Sequence, residues 1–365
     1  MDNDHQNDTG FDANNTVKAL IAMETTPSYM EDTYNTISSI VSWIIVVNGT
    51  LGLIGNILTV VVYTKLGFSE TIHMSYVALA ISDFFCLLTL LYVRFCFTAE
   101  IKSIFLRYRM LLDETLFANF TGAWPNHGFT RTTALLTAWI SLERCLCVLF
   151  PTRVKLMITP RVTKIVLTVI FTIGCCPVAL AFIGIKTEMD FDPETNYTTL
   201  ILRYSHGNQD LNPANRIAFV LYGALYPIAS WLIVVVCAFF LITALKRSAR
   251  WRSINTRSHI GKSTGSCAEK ESRKIPSREA RVTRTVVVIA CAFIFFSLPI
   301  SATVVIAFVY RDFSVKGYLH YPLLISVTFS FLFGGLNSSI NIVVYTLTGS
   351  KFRSTLIELF KRNHS

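Results

Sequence analysis

Ser141-Leu-Glu-Arg-Cys-Leu-Cys-Val-Leu-Phe-Pro151 closes a long apolar stretch with two adjacent full charges, Glu143 and Arg144. Charges inside a membrane-length segment are costly unless they pair or reach an interface. Seven residues beyond Arg144 stands Pro151, which lacks the amide hydrogen a continuing helix needs; the basic pair Arg153 and Lys155 follows. The stretch reads as a membrane-spanning helix that reaches a surface at its charged pair. The rest of the chain has to supply the surroundings that pair requires.

Composition supports a membrane protein. Of 365 residues 52% are hydrophobic and 15% charged, and mean hydropathy is +0.49. The apolar residues gather in blocks that reach the ~20 residues needed to cross a bilayer. The net charge of +10 is unevenly spread. Residues 1–40 carry Asp2, Asp4, Asp8, Asp12, Glu24, Glu31 and Asp32 against Lys18, whereas Lys246 to Arg284 holds twelve Lys/Arg against three Glu. A basic loop beside a span is a cytoplasmic signature, so this charge does not point to nucleic acid. The acidic N-terminus has no signal-peptide pattern. Nine cysteines fall in apolar blocks or the basic loop, without the His/Cys partners of a metal site.

Outward from the opening stretch, the chain divides into seven uncharged or nearly uncharged spans. They are expected at about 38–65, 71–97 and 119–149, then between Lys164 and Lys186, Arg216 and Lys246, Arg284 and Arg311, and Lys316 and Lys351. Only helices satisfy the backbone here, since no alternating barrel pattern is present. The expected class is an all-α membrane protein, a seven-helix bundle over residues 38–348. Residues 1–37 read as a disordered outer tail, 246–280 as a disordered basic loop, and 349–365 as an amphipathic helix (Phe352, Leu356, Leu359, Phe360 on one face) with a short tail. The positive-inside bias puts the N-terminus outside. The sequons at Asn7, Asn14 and Asn196 then lie outside as N-glycosylation candidates.

Polar residues inside spans are the candidate functional groups. Asp83, mid-span, shares its depth with Asn56, Thr133, Asn337, Ser338 and Asn341. They make either a hydrated pocket for a small cation such as Na+ or a purely structural hydrogen-bond network. Arg144 has Glu143 beside it and Glu279 at the start of span six, so it either bridges both spans as an inner latch or is a solvated surface charge. Arg94 and Arg131 sit deep from the other side. Arg131 is thirteen residues before Arg144, ~20 Å along a helix. Arg94 or Arg131, with Asn126 and His127, lines an outward pocket for a ligand with an acidic or carbonyl group, or the arginine is met by an internal partner. Pro177, Pro227 and Pro299 each remove a backbone donor and favour kinks, as hinges or as static shape. Gly261-Lys-Ser-Thr looks like the end of a phosphate loop, but Thr256 stands where the motif needs glycine.

The ordered set of motifs resembles the rhodopsin-like (class A) G-protein-coupled receptors. It comprises Gly55-Asn56, Leu79-Ala-Ile-Ser-Asp83, Glu143-Arg144-Cys145 with Pro151, Pro227, Pro299 and Asn341-Ile-Val-Val-Tyr345. Trp124-Pro125, Phe129-Thr-Arg131 and Leu142-Glu-Arg-Cys-Leu-Cys147 look more narrowly like invertebrate, especially molluscan, chemosensory-type and orphan peptide-like receptors. The resemblance implies an extracellular ligand, a heterotrimeric G protein as cytoplasmic partner, arrestin as a further one, and coupling roles for Glu143, Arg144, Glu279 and Tyr345. It implies no catalysis. The departures are specific: Asn119 stands for the usual disulfide cysteine, Ser297 for a Trp, Val235 for a Tyr, and Ile342 for a Pro. Asn126 in place of an Asp argues against an amine ligand, and Gly335 in place of a Lys against retinal. A transporter or channel is the alternative, though internal repeats are absent.

Overall fold

The computed structural model describes residues 13–183, 187–192, 196–202, 213–259, 267–310, 312–314 and 317–362, with side chains left out for 13–28, 248–280 and scattered positions. Among them are seven helices long and apolar enough to cross a membrane. We label the spanning helices α1 (Ala13–Leu66), α2 (Thr71–Cys96), α3 (the span Glu114–Leu149), α4 (Pro160–Cys175), α5 (from Pro213 to His259), α6 (Cys267–Val309) and α7 (His320–Thr348). An eighth, α8 (Ser350–Arg362), follows after Gly349.

Several boundaries differ from the sequence expectation. α1 runs back to Ala13 instead of starting at residue 38, so part of the expected disordered tail is helical. The basic loop is likewise narrowed, because α5 continues to His259 and α6 begins at Cys267. Polar residues are not helix breakers: Glu269 and Arg273 stand at i, i+4, a helix-supporting spacing. Asn7 lies outside the described residues, and so does the side chain of Asn14.

α3 is the hub, packing on α2, α4, α5 and α6, while α1 lies against α2 and α7. Small residues set the close approaches. A side chain at Gly55 would put its Cβ 2.8 Å from Ile342 Cγ2, so this glycine lets α1 meet α7. Gly174 faces the Thr132 side chain in the same way, and its carbonyl accepts the Tyr222 hydroxyl at 2.7 Å, joining α3, α4 and α5. Pro177 ends the regular course of α4, and a short helix, Val178–Phe182, resumes after it. π-turns interrupt α3 at Asn119–Ala123 and α5 at Leu221–Leu225, the latter just before Pro227. α7 runs unbroken through Ile342.

Between α4 and α5 lies a hairpin, β1 (Thr187–Asp192) and β2 (Tyr197–Leu202), paired from Thr187↔Leu202 to Asp192↔Tyr197. Asn196 turns it with φ 49, exposed. No cysteine tethers this segment to α3. Backbone pairing does: Leu200 N–H donates to Leu111 C=O at 2.7 Å, and Asp113 N–H to Leu200 C=O at 3.3 Å. Asp113 also caps α3, accepting from Thr115 N–H at 3.1 Å.

The two halves of the bundle are packed differently. The half carrying the basic turns, called the basic face below, holds the main core, with Tyr63, Leu79, Ile140, Leu241, Val286, Tyr345 and Phe352 buried together. The α8 helix closes it by inserting Phe352. The opposite half carries smaller clusters, around Ile45, Leu90 and Leu332 and around Ala218 and Tyr222, and a cavity whose wall includes Leu90, Ala134 and Phe293.

Candidate functional site

At the basic face Glu143 is fully buried. Its Oε1 accepts the Thr71 hydroxyl at 2.5 Å and Arg144 Nη2 at 2.9 Å, and its Oε2 accepts the Ser75 hydroxyl at 3.1 Å. All the donors suit an ionised carboxylate, which accepts only. Thr71 and Ser75, four apart at the start of α2, present both hydroxyls on one face; that spacing was the available signal for them, and sequence reasoning missed it. The expected second partner of Arg144, Glu279, has its side chain outside the described residues. α6 is joined to α7 and α8 instead: Arg281 Nη1 donates to Ser350 Oγ at 2.6 Å, and the Thr285 hydroxyl to Thr348 Oγ1 at 2.7 Å. Tyr345 sits one layer deeper, 1% exposed, its ring 4.8 Å from Tyr76 and edge-on to Tyr63 at 5.3 Å. The hydroxyls of Tyr76 and Tyr345 have no hydrogen-bond partner among the described residues.

Mid-bundle, Asp83 is fully buried and both oxygens are engaged. Oδ1 accepts the Thr133 hydroxyl at 2.9 Å and Oδ2 accepts Asn341 Nδ2 at 2.7 Å. Thr133 Oγ1 also lies 2.9 Å from Ser82 Oγ, and Asn56 Nδ2 donates to Ser338 C=O at 3.0 Å. The cluster therefore ties α1, α2, α3 and α7 at one level. The Thr133 O–H and the Asn341 N–H aim at the carboxylate, the geometry of a hydrogen-bonded network; a cation would have to turn Asn341 away. Asn337 lines the neighbouring cavity together with Thr133 and Ser338 and makes no hydrogen bond to Asp83 among the described residues.

That cavity, of about 330 Å³, lies between α3, α5, α6 and α7 in the half away from the basic face. Asn126, His127, Thr130, Arg131 and Ala134 line it from α3, Pro227 and Trp231 from α5, Phe293, Phe296 and Ser301 from α6, and Phe331, Asn337 and Ser338 from α7. Three of the four expected pocket residues are thus brought together. Arg94 is not: its guanidinium lies over the Phe331 ring, 5.4 Å from the centroid, with that ring between it and the cavity. Asn126 is committed to α2, donating to Cys86 C=O at 2.8 Å and Thr89 Oγ1 at 3.1 Å. His127 stacks edge-on against Trp124 at 5.8 Å. Arg131 is 8% exposed and its Nε has no partner among the described residues; the same holds for the buried indole N–H of Trp231. Thr133 and Ser338 line the cavity floor, so it ends against the Asp83 network.

Pro299, the expected hinge of α6, lies inside a continuous helix, where Ser297 and Ser301 return their hydroxyls to the carbonyls of Ile294 and Ser297 at 3.0 and 2.8 Å. These serines take up space near the missing donor without supplying an aromatic ring.

Comparison with known proteins gives one assignment. No curated protein matches the chain closely enough to count as a relative. Residues 43–363 match the model of the Srw family, described as serpentine type 7TM GPCR chemoreceptors. That match covers α2 to α7 in full and α1 from Trp43 on, with the buried Glu143-Arg144 pair and the cavity between α3, α5, α6 and α7, and a receptor, not an enzyme, is what it denotes. The chain belongs to the Srw family of serpentine seven-transmembrane, G-protein-coupled-type chemoreceptors.

Proposed function

We propose that the protein sits in the plasma membrane with its N-terminus outside, binds a ligand in the cavity between α3, α5, α6 and α7, and activates a heterotrimeric G protein at the basic, cytoplasmic face. The positive-inside bias supports the orientation. One observation carries the ligand-to-G-protein reading: a cavity in one half shares Thr133 and Ser338 with the Asp83 network, and the opposite half is closed by short, nameable ties. A ligand that favours a different spacing of the α3, α6 and α7 walls shifts that closed half by its differential affinity for the two states. Opening requires breaking Arg281–Ser350 and Thr285–Thr348 and freeing Arg144 from Glu143. Glu279 facing Arg144 would add a further tie. Arrestin would meet the same face, and Asn196 at its exposed turn would carry glycan. Expression in cells with a promiscuous Gα subunit, a chemical screen and an Arg144→Ala control tests the reading. Responses are expected from the native chain and lost in the control at equal surface level; responses that survive Arg144→Ala undiminished would overturn it.

A further inference from the structure

Resting on that reading of the cavity, we propose that its ligand is a small organic anion, a carboxylate on an aromatic or branched apolar body, anchored by Arg131 and the Trp231 indole. The lining supplies one permanent charge, the Arg131 guanidinium, and no Asp or Glu. Arg131 takes part in no hydrogen bond or ion pair among the described residues, and its Nε is buried. A guanidinium in a span is costly to leave unmatched, so an unmatched one on a cavity wall marks where a counter-charge is to arrive. The Trp231 Nε1–H on the same cavity is also buried and unpartnered. Both groups donate only, and a carboxylate accepts only. Asn126, by contrast, already spends its amide N–H groups on Cys86 and Thr89, so it offers an arriving group less.

The remaining wall sets the ligand's body. Phe293, Phe296, Phe331 and Leu90 offer apolar and aromatic surface. The volume of about 330 Å³ is roughly twice that of the 150 Å³ cavity that takes up one benzene, so roughly a dozen non-hydrogen atoms fill it. A whole peptide does not fit.

The test uses the full chain, in cells with a promiscuous Gα and as purified receptor in detergent. The probes are aryl and branched alkyl carboxylates of about that size, each with its primary amide, methyl ester and amine counterpart. Acids are expected to signal and to raise the melting temperature, with the matched amides about 10- to 100-fold weaker. Arg131→Gln should abolish the acid response at unchanged surface level, Arg131→Lys should keep part of it, and Arg131→Glu should move the preference to the amines. Potency shared equally by acids and amides, acid potency untouched in Arg131→Gln, activation by peptides alone, or a panel in which no acid signals or stabilises would each overturn the proposal. So would chloride alone giving the whole stabilisation. Glu143→Gln, read in the same cells for ligand-free signalling, separates the two failures. Basal signalling there with inert acids rejects the anion and keeps the receptor; silence of every variant and probe rejects both.

Discussion

Replacing Glu143 by Gln tests the tie at the basic face with almost no change of shape. The native carboxylate accepts from Thr71 at 2.5 Å, Arg144 at 2.9 Å and Ser75 at 3.1 Å while fully buried. Gln keeps one acceptor oxygen and turns the other into an NH₂ donor, which the Ser75 hydroxyl can accept by rotating. The lost quantity is charge. Hydrogen bonds to charged groups contribute about 1.5–3 kcal/mol against about 0.5–1.5 for neutral ones, so the closed state loses about 1–2 kcal/mol. At 1.4 kcal/mol per decade the open-to-closed ratio rises roughly 5- to 30-fold. A receptor that is about 1% open at rest becomes about 5% to 25% open. Ligand-free second-messenger output per surface receptor, across a range of expression levels, measures this directly. Thr71→Val and Ser75→Ala remove one donor each and should raise output less, Thr71→Val more than Ser75→Ala because its bond is shorter. Native basal output in Glu143→Gln at matched surface level would refute the reasoning. Output raised by Thr71→Val but not by Glu143→Gln would show that shape, and not charge, holds the pair.

Asp83→Ala leaves the Thr133 hydroxyl and Asn341 amide without their acceptor, and a loss of about 1–3 kcal/mol is expected, read as a lower melting temperature; Asp83→Asn should retain most of it. Raising Na+ at constant ionic strength should leave the native melting temperature nearly flat if those donors hold the site, and a steep rise would favour a bound cation. Arg281→Ala and Ser350→Ala should each raise basal signalling, and the double variant should do no more than the stronger single one, because both remove the same bond. Leu200→Pro deletes the N–H that pairs with Leu111 and should free the hairpin, seen as faster proteolysis between α4 and α5. Dithiothreitol should leave that proteolysis rate unchanged in the native protein, since the described cysteines are free thiols.

Depth along a helix was legible in the sequence, and rotation about the helix was not. Rise per residue is constant, so counting placed Glu143-Arg144 at the basic face, Asp83 level with Thr133 and Asn341, and Arg131 one span-half above Arg144. Facing depends on which neighbour a helix packs against. Arg94 and Arg131 looked alike by depth, yet α2 turns Arg94 behind Phe331 while α3 turns Arg131 onto the cavity. Asn337 and Ser338 both reach the cavity, and of the two Ser338 is the one that also receives Asn56. The ties between Arg281 and Ser350 and between Thr285 and Thr348 join residues more than sixty apart with no unusual composition, so nothing local announced them. The hairpin escaped because its partner, Leu111, lies between the spans expected at 71–97 and 119–149, where no pattern marks a strand partner. Motif resemblance reached the receptor class that the family match supports, from the same residues that charge and depth had singled out.

Buried polar groups without partners are rare in folded proteins, so where they gather is informative. On α3 and its neighbours they fall mainly in two places. Arg131, Trp231 and Ser230 stand at or beside the cavity; Tyr76, Ser141, Arg144 Nε and Tyr345 lie in the half that carries the Glu143-Arg144 pair. Arg94 Nε, Trp139, Thr163 and His320 Nδ1 belong to neither group. Between the two places the polar residues are paired: Asp83 with Thr133 and Asn341, Asn56 with Ser338, Ser82 with Thr133. A satisfied network resists change, whereas unsatisfied ends can gain from it. On the proposal above, a ligand would supply acceptors at the cavity. At the basic face the phenols of Tyr76 and Tyr345 would be the acceptors for Arg144 released from Glu143. With Val235 on α5 in place of a tyrosine, the α2 phenol of Tyr76 would receive the guanidinium. Tyr76→Phe keeps the ring packing and removes that acceptor, so it should lower maximal ligand response while leaving basal output and surface level unchanged. A full response in Tyr76→Phe would return the role to Tyr345 alone.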